Sequence, residues 1–234
     1  MFDDQVVVVT GGAGALGQAV VEHFLNRGAK VVAVDYSATL LKEALGEETE
    51  RCQHRVCDLT ERGSCSELTA GLLEQTGRID VLCNIAGGFH MGEAVHETSE
   101  ATWDFLFDLN TKAVIYMTQN VIPAMVAAGS GKVINVGAVA ANRGQPNMGA
   151  YLASKAATER LTESLAEEVR HYGVNVNCVL PSVIDTPKNR ADMPEAEFEH
   201  WVSPTKLAEV IGFLASEAAS AVHGAAVPVR GLSA

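Results

Sequence analysis

Two side chains suited to proton transfer, Tyr151 and Lys155, stand four positions apart in the segment YLASK. On a helix, residues i and i+4 share one face, so the lysine ammonium would lie beside the phenol. A nearby positive charge stabilises a phenolate, and this pairing predicts a pKa of Tyr151 below the usual value of about 10. A tyrosine of that kind can donate a proton near neutral pH. The same spacing is also typical of a surface pair on an amphipathic helix.

A glycine-rich segment, residues 10–17, follows the first apolar run of the chain. Its glycines Gly12, Gly14 and Gly17 have the spacing G-x-G-x-x-G, after a predicted strand and at the start of a predicted helix. Such a loop lets a pyrophosphate approach the backbone closely, and the amide groups of the helix N-terminus point at its charge. A glycine-rich turn alone is common, but this context predicts a dinucleotide site.

An acidic residue, Asp35, ends the next predicted strand, eighteen residues after Gly17. Its carboxylate can accept hydrogen bonds from the ribose hydroxyls of adenosine. A 2′-phosphate would meet an uncompensated negative charge there, because neither Tyr36 nor Ser37 supplies a base. The sequence therefore favours NAD, as NADH, over NADPH.

The hydrophobic pattern predicts a scaffold that places these residues at one edge. Short β-branched runs alternate with stretches of helical period, which is typical of βαβ units in a parallel sheet. The predicted strands are residues 6–9, 31–34, 55–57, 81–84, 133–136, 174–179 and 226–229. The predicted helices are residues 16–26, 38–45, 65–75, 102–125, 151–172 and 204–215. Residues 1–234 are thus expected to form one α/β domain, a Rossmann-like doubly wound parallel sheet whose ligands lie beyond the carboxyl ends of the strands.

Composition excludes several classes of protein. The chain has 234 residues, 47% of them hydrophobic and 20% charged, and a net charge of −12 without a basic stripe, so a nucleic-acid partner is not expected. Five cysteines without C-x-x-C spacing predict free thiols rather than a disulfide framework or a metal site. The acidic N-terminus does not resemble a signal peptide, and no apolar run is long enough for a membrane span. We expect a cytoplasmic protein.

The motifs occur together in the order typical of the short-chain dehydrogenases/reductases, which the chain resembles over roughly residues 5–231. The motifs that carry the resemblance are the glycine loop, Asp35, Asp58, residues 84–87, Asn110, Tyr151 with Lys155, and residues 181–186. The resemblance implies an NAD(P)-dependent oxidoreductase that acts on a small-molecule substrate. It also implies a homodimer or homotetramer, with two long helices packed across a two-fold axis.

The resemblance further assigns roles to individual residues. It implies that Tyr151, Lys155 and Asn110 are catalytic, with Asn110 keeping a helix kinked and anchoring a proton-relay water. Thr186 and the backbone of Ile184 would hold the nicotinamide carboxamide, and Asp58 with Leu59 would contact adenine. The implied cofactor-binding residues are Gly11, Gly12, Gly14, Ala15, Leu16, Gly17, Asp35, Asp58, Leu59, Asn84, Ala86, Gly87, Tyr151, Lys155, Pro181, Ile184 and Thr186.

One departure from the family pattern affects the chemistry. The family normally has a serine thirteen residues before the tyrosine, where its hydroxyl polarises the substrate carbonyl, and this chain has Ala138. Residues 131–150 contain no Ser, Thr or Tyr that could replace it. Loss of such a donor typically costs on the order of 10²–10³ in rate. The dihydropteridine reductases lack the serine in the same way, and residues 180–201, with the core DTPxNRxxMP, resemble their corresponding segment.

Three functions remain open from the sequence. The first is an NADH-dependent reductase of a conjugated or quinonoid acceptor such as quinonoid dihydropterin, with Tyr151 as proton donor. The second is a generic carbonyl or alcohol oxidoreductase, and the third is a non-catalytic NAD-binding regulator. The residues expected to border the substrate are Ala138, His90, Met148 and Trp201. Trp103, Phe105 and Phe107 are interpreted as core or subunit packing.

Overall fold

A computed structural model describes residues 1–233 and contains one sheet of seven parallel strands. The strands are β1 (Val6–Thr10), β2 (Lys30–Asp35), β3 (Cys52–Val56), β4 (Val81–Asn84), β5 (Gly131–Val136), β6 (Val174–Pro181) and β7 (Ala226–Val229). Their order across the sheet is β3-β2-β1-β4-β5-β6-β7. The order reverses direction between β1 and β4, and such a switch point opens a crevice at the carboxyl edge of the sheet.

Helices cover both faces of this sheet. They are α1 (Ala15–Leu25), α2 (Ala38–Leu45), α3 (Arg62–Thr76), α4 (Glu100–Phe107), α5 (Ala113–Ala128), α6 (Gly149–Val169), α7 (Pro187–Asp192) and α8 (Pro204–Ala215). A π-helical turn, Asp108–Lys112, joins α4 to α5. Within residues 1–233, no helix is both long enough and apolar enough to cross a membrane.

The core consists of two apolar layers that the strands separate. Along β1, Val7 and Val9 pack in the layer that also holds Phe24 of α1 and Ile211 of α8. Val8 points the opposite way, into the layer built with α3, α5 and α6. Because both faces are covered, the strands are apolar throughout rather than alternating, as the sequence predicts.

The predicted fold class is confirmed, and each of the seven predicted strands overlaps a strand of the sheet. Two predicted elements need correction, and the bounds of the others agree to within three residues. The strand predicted at residues 55–57 is Cys52–Val56, since its pairing with β2 begins at Cys52. The helix predicted at residues 102–125 is two helices with the π turn between them, because the extra residue of that turn interrupts the helical hydrogen-bond ladder.

Candidate active site

The glycine loop after β1 contains three glycines that have no room for a side chain. Gly11 has a φ of 66°, and a Cβ there would lie 2.8 Å from the Ala86 Cα. A Cβ at Gly12 would lie 2.9 Å from the Ala33 Cβ, and a Cβ at Gly17 would overlap the Gly11 carbonyl oxygen. These contacts hold the turn against β2 and against the loop after β4.

Gly14 differs because it is exposed and caps the start of helix α1. A Cβ at Gly14 would meet the Gly11 carbonyl oxygen at 3.4 Å, an ordinary contact distance. Among the described residues no side chain caps this helix end, and its first turn, beginning at Ala15 and the buried Leu16, carries no acid. The free amides there have partial positive charge, so this end of α1 fits the pyrophosphate of a dinucleotide.

Asp35 ends β2 with its carboxylate turned toward the glycine loop. Oδ2 accepts a hydrogen bond from the Ala13 amide at 3.1 Å, and Oδ1 accepts one from the Tyr36 amide at 2.8 Å. The side chain is buried and fixed, while the remaining lone pairs of the two oxygens can still accept hydroxyl groups. The next two residues, Tyr36 and Ser37, have no basic side chain and so place no positive charge beside the carboxylate. Tyr36 is 73% exposed, and Ser37 caps helix α2.

The residues predicted to contact adenine form a compact turn after β3. Oδ1 of Asp58 accepts hydrogen bonds from the backbone amide and the hydroxyl of Thr60, at 2.9 and 2.6 Å. Leu59 is buried, and Asp58 is exposed. The turn therefore presents the Asp58 backbone and carboxylate at the same sheet edge as Asp35.

Thr10, the last residue of β1, ties the glycine loop to the loop after β4. Its hydroxyl accepts hydrogen bonds from the backbone amides of Ile85 and Ala86, at 3.1 and 3.2 Å, and donates to the Cys83 carbonyl at 3.4 Å. The Ala86 backbone is thereby held in contact with Gly11.

Asn84 supports this loop from inside the sheet. Its amide donates to Asn135 Oδ1 of β5 at 2.8 Å, and the Asn135 amide donates to the Thr162 hydroxyl of α6 at 2.9 Å. Asn84 is 3% exposed. Its side chain fixes the end of β4 against β5 and α6 at the position predicted to bind cofactor.

Asn110 lies in the π turn, and its side chain binds both the backbone amide and the backbone carbonyl of Gly88. Its Oδ1 accepts from the Gly88 amide at 2.8 Å, and its Nδ2 donates to the Gly88 carbonyl and to the Ser154 hydroxyl, both at 3.0 Å. The Asn110 carbonyl oxygen accepts from the Thr158 hydroxyl at 2.8 Å. The predicted interruption of the helix at Asn110 is present, and its side chain positions the loop after β4.

Lys155 and Tyr151 lie one turn apart on α6, as the spacing requires. The Lys155 ammonium is buried and donates to the Val136 carbonyl of β5 at 2.9 Å. Burial lowers the pKa of Lys155 to about 8. A Cβ on Gly87 would lie 3.0 Å from Lys155 Nζ, which explains a glycine in that loop.

The predicted lowering of the Tyr151 pKa is wrong. Burial raises the pKa of Tyr151 to about 12, and its ring makes an edge contact with Phe89, with ring centroids 4.9 Å apart. The Lys155 ammonium donates a hydrogen bond to the Val136 carbonyl of the backbone instead. The tyrosine hydroxyl therefore keeps its proton at neutral pH.

Ala138 lies just beyond β5, where a short 3₁₀ turn, Val139–Asn142, begins. It is 5% exposed. A Cβ at the preceding Gly137 would lie 2.6 Å from Leu180 Cδ2. Only Ala138 of this pair has space for a side chain, and its methyl group offers no hydrogen bond.

The residues predicted to hold the nicotinamide follow β6. Pro181 ends the strand, and the Ile184 carbonyl accepts from the Asn189 side-chain amide at 2.8 Å. The Thr186 hydroxyl caps α7 by accepting from the Asn189 backbone amide at 3.1 Å. One asparagine thus fixes both residues.

Two of the four residues predicted to border the substrate line one pocket, and the other two do not. His90 and Met148 line the same shallow pocket near the start of α6, together with Glu93. Trp201 does not line that pocket and packs against Phe198, with ring centroids 4.9 Å apart. Ala138 lies at the end of β5, on a separate element.

Comparison with known proteins identifies the family. A family model described as short chain dehydrogenase matches residues 5–197. The chain belongs to the short-chain dehydrogenase family. As a member, it is an oxidoreductase. Dehydrogenase/reductase SDR family member 6 from Aquarana catesbeiana is 33% identical over 98% of this chain and 97% of its own length.

Two further members match the chain over nearly its whole length. The 3-oxoacyl-acyl-carrier-protein reductase of Thermotoga maritima is 33% identical over 98% of both chains. The crystal structure of 3-ketoacyl-acyl-carrier-protein reductase from Brucella melitensis, complexed with NADH, has 26% identity and a TM-score of 0.89. It covers 99% of this chain and 98% of its own.

Sequence reasoning missed two positioning residues of this short-chain dehydrogenase. Thr10 holds the loop after β4, and the only sequence signal was its place between a strand and a glycine loop. Ser154 accepts from Asn110 and donates to the Tyr151 carbonyl at 2.8 Å. Its place between Tyr151 and Lys155 in the YLASK segment was visible, but its partner lies 44 residues away.

Proposed function

We propose that this short-chain dehydrogenase uses NADH to reduce a conjugated or quinonoid acceptor, such as a quinonoid dihydropterin. The observation that carries the proposal is Ala138, which leaves the end of β5 without the hydroxyl that would polarise a ketone. A quinonoid C=N system is electrophilic without that help, so a single proton donor suffices. The similarity of residues 180–201 to the dihydropteridine reductases supports the same choice.

The cofactor assignment depends on the carboxyl edge of β1 and β2. The uncapped N-terminus of α1 fits a pyrophosphate, and the Asp35 carboxylate is held where the adenosine ribose would lie. A 2′-phosphate beside that carboxylate would be repelled, because the adjoining Tyr36 and Ser37 bring no positive charge. The NADH complex of the Brucella melitensis relative supports this cofactor.

The proposed roles of Tyr151 and Lys155 follow from their ionisation. The Tyr151 hydroxyl is protonated at neutral pH, with a pKa of about 12, so it is present as a donor and transfers its proton only to a group more basic than its own phenolate, as a newly reduced nitrogen or oxygen anion is. Lys155 is mostly an ammonium at pH 7 and is bound to the Val136 carbonyl, so its proposed role is to help bind the cofactor, as the family resemblance implies. Asn110 and Ser154 hold the loop after β4 against helix α6. The bound nicotinamide supplies the hydride.

A second candidate, reduction of ordinary carbonyl groups, is favoured by the relatives. A reductase of 3-oxoacyl groups matches the chain over 98% of both lengths. If a backbone group or a water molecule polarises the carbonyl in place of Ala138, the same Tyr151 and Lys155 would serve that reaction.

One experiment separates the two candidates. NADH oxidation is measured with quinonoid dihydropterin and with a panel of simple ketones and aldehydes. The proposal expects turnover with the pterin and little with the carbonyl compounds. Ala138→Ser should raise the ketone rate without raising the pterin rate, whereas Ala140→Ser, which adds a hydroxyl two residues further on, should change neither. Efficient ketone reduction by the unmodified enzyme, with no pterin activity, would decide for the second candidate.

The cofactor preference has its own test. Titration with NADH and NADPH should show tighter binding of NADH. Asp35→Ala should reduce the difference in binding free energy between the two dinucleotides by about 1–3 kcal/mol, because a charged hydrogen-bond acceptor is lost. Asp58→Ala is the matched control, because it removes an exposed acid of the predicted adenine contact and should weaken both dinucleotides alike. Tighter binding of NADPH to the unmodified protein would contradict the assignment.

We further propose a homo-oligomer in the cytoplasm. Trp103 and Phe105 of α4 are 45% and 48% exposed, so these two rings are not part of the core. The other interpretation, packing between subunits, is the one that we propose for them. Phe107 stacks on Trp103 with ring centroids 4.4 Å apart. Exposed aromatic clusters of this kind are typical of interfaces. Five free cysteines agree with a reducing compartment.

A further inference from the structure

Three hydroxyl residues, Ser154, Thr158 and Thr162, follow one another at intervals of four along α6 and so share one face of the helix. They are 0%, 0% and 1% exposed. Burying a hydroxyl is unfavourable unless it is hydrogen-bonded, so the partners of the three show what this face of α6 contacts. Thr162 bonds Asn135 of β5, whereas Ser154 and Thr158 both bond Asn110 of the π turn.

The Thr158 hydroxyl binds the backbone of the π turn. It lies 2.8 Å from the Asn110 carbonyl oxygen and 3.1 Å from the Ser154 carbonyl oxygen of its own helix. A threonine within a helix commonly bonds the carbonyl four residues back, as Thr69 of α3 does with Cys65 at 2.9 Å. The hydroxyl has one hydrogen, and the shorter contact of Thr158 is the one that crosses to another element.

The π turn is bonded to α6 in both directions. Within the turn, the Ala113 amide reaches back five residues to the Asp108 carbonyl, so the regular ladder of an α-helix is interrupted there. Thr158 donates from α6 to the turn, and the Thr111 hydroxyl donates from the turn to the Ser154 carbonyl at 3.0 Å. Two hydroxyls that bond opposite backbones fix the position of the interrupted segment against α6.

The position of the turn determines where the Asn110 side chain lies. That side chain binds the Gly88 amide and carbonyl, at 2.8 and 3.0 Å. A Cβ on Gly88 would lie 2.7 Å from the Phe105 ring, so the loop after β4 also has no room to move toward α4. Phe89 comes next in the chain, and its ring contacts the Tyr151 ring. A shift of the π turn would therefore reach the proposed proton donor through this loop.

We propose that Thr158 is a positioning residue of the candidate active site. Its hydroxyl holds the π turn, so that Asn110 keeps the loop after β4 beside Tyr151. Thr158 is fully buried and lies seven residues along α6 from Tyr151, so it acts through the turn and not by contact with a substrate. Its effect on turnover rests on the proposed function, whereas its effect on the loop does not.

Four variants isolate the hydroxyl. Thr158→Val replaces it by a methyl group of similar size, and Thr158→Ser keeps it while removing the methyl group. Thr111→Val removes the opposite contact with the Ser154 carbonyl and should act in the same direction as Thr158→Val. Thr69→Val is the matched control, because Thr69 is 1% exposed and its hydroxyl donates to a carbonyl of its own helix.

Turnover is measured per folded enzyme with the acceptor that the unmodified protein reduces best. Thr158→Val should lower kcat about tenfold or more, since small displacements of reacting groups are costly. The Kd for NADH should change less than kcat, because Thr10 holds Ala86 of the same loop independently. Thr158→Ser should recover most of the loss, and Thr69→Val should keep the unmodified kcat even where its melting temperature falls. An unchanged kcat in Thr158→Val, or an equal loss in Thr69→Val, would overturn the proposal.

Amide hydrogen exchange of the nucleotide-free protein tests the positioning without any acceptor. The Gly88 amide is bonded to Asn110, so peptides that contain Gly88 should exchange faster in Thr158→Val and Thr111→Val than in Thr158→Ser or Thr69→Val. Equal exchange in all four variants would overturn the proposal. Faster exchange in the first two variants, in a protein that reduces no acceptor, would support the role of Thr158 and count against the proposed function.

Discussion

Lys155→Met is expected to stabilise the protein at neutral pH. The Lys155 ammonium is buried and has a backbone carbonyl, not a carboxylate, as its hydrogen-bond partner. Burial lowers its pKa from 10.5 to about 8. Because one pKa unit corresponds to about 1.36 kcal/mol, keeping the proton on the folded chain at pH 7 costs about 3 kcal/mol. Loss of the hydrogen bond offsets about 1 kcal/mol, so the methionine variant should be about 2 kcal/mol more stable.

The pH dependence has a definite sign. Below pH 8 both the folded and the unfolded chain carry the proton of Lys155, so the penalty is complete. Between pH 8 and 10.5 the folded chain has released the proton and the unfolded chain retains it. The contribution of Lys155 to the free energy of unfolding therefore rises with pH, by about 2 kcal/mol between pH 7 and pH 9.5.

Urea unfolding of the nucleotide-free protein at pH 7 and pH 9.5, under reducing conditions, measures this effect. The difference in free energy of unfolding between Lys155→Met and the unmodified protein removes the contribution of groups that titrate in both proteins. The greater stability of the variant should therefore vanish by pH 9.5. Lys206→Met is the control, because Lys206 lies on the surface beside Glu209 and such pairs contribute little. A stability difference that stays constant with pH, or a variant that is less stable at pH 7, would refute the reasoning.

Three other changes have defined outcomes. Tyr151→Phe removes the proton donor and keeps the ring, so turnover should fall about 10²–10⁴-fold while fluorescence titration shows NADH affinity retained. Gly17→Ala should lower the melting temperature, since overpacking typically costs about 1–3 kcal/mol, whereas Gly14→Ala, whose Cβ would meet only the Gly11 carbonyl oxygen at 3.4 Å, should not. Light scattering at micromolar concentration should give a dimer or tetramer mass, and replacing Trp103 and Phe105 by serine should reduce it. A monomeric mass for the unmodified chain would contradict the assembly.

The sheet could be predicted from the sequence because its signals are local. Runs such as the one at Val6–Thr10 are apolar and β-branched, and glycine loops and acidic residues mark their ends. The helix break at Asn110 left no trace in the apolar pattern, since a π turn adds one residue without a glycine or proline. Only the family resemblance indicated it.

The ionisation of the candidate active site could not be read from spacing. Four residues separate Tyr151 from Lys155, and that spacing says which helix face they share, not what the ammonium binds. Its partner, the Val136 carbonyl, comes from a strand 19 residues away, and burial of both side chains is set by the whole fold. Proximity along a helix therefore predicted the wrong sign for the Tyr151 pKa.

The contact between Gly11 and Ala86 limits how this scaffold can be redesigned. A Cβ on Gly11 would lie 2.8 Å from the Ala86 Cα, and the Thr10 hydroxyl binds the Ala86 amide. The two loops are more than seventy residues apart in the sequence, but their positions are fixed by contact with each other. Transplanting the glycine loop of another enzyme to change nucleotide preference would leave its partner loop mismatched. A graft should carry both segments together, with the threonine that joins them.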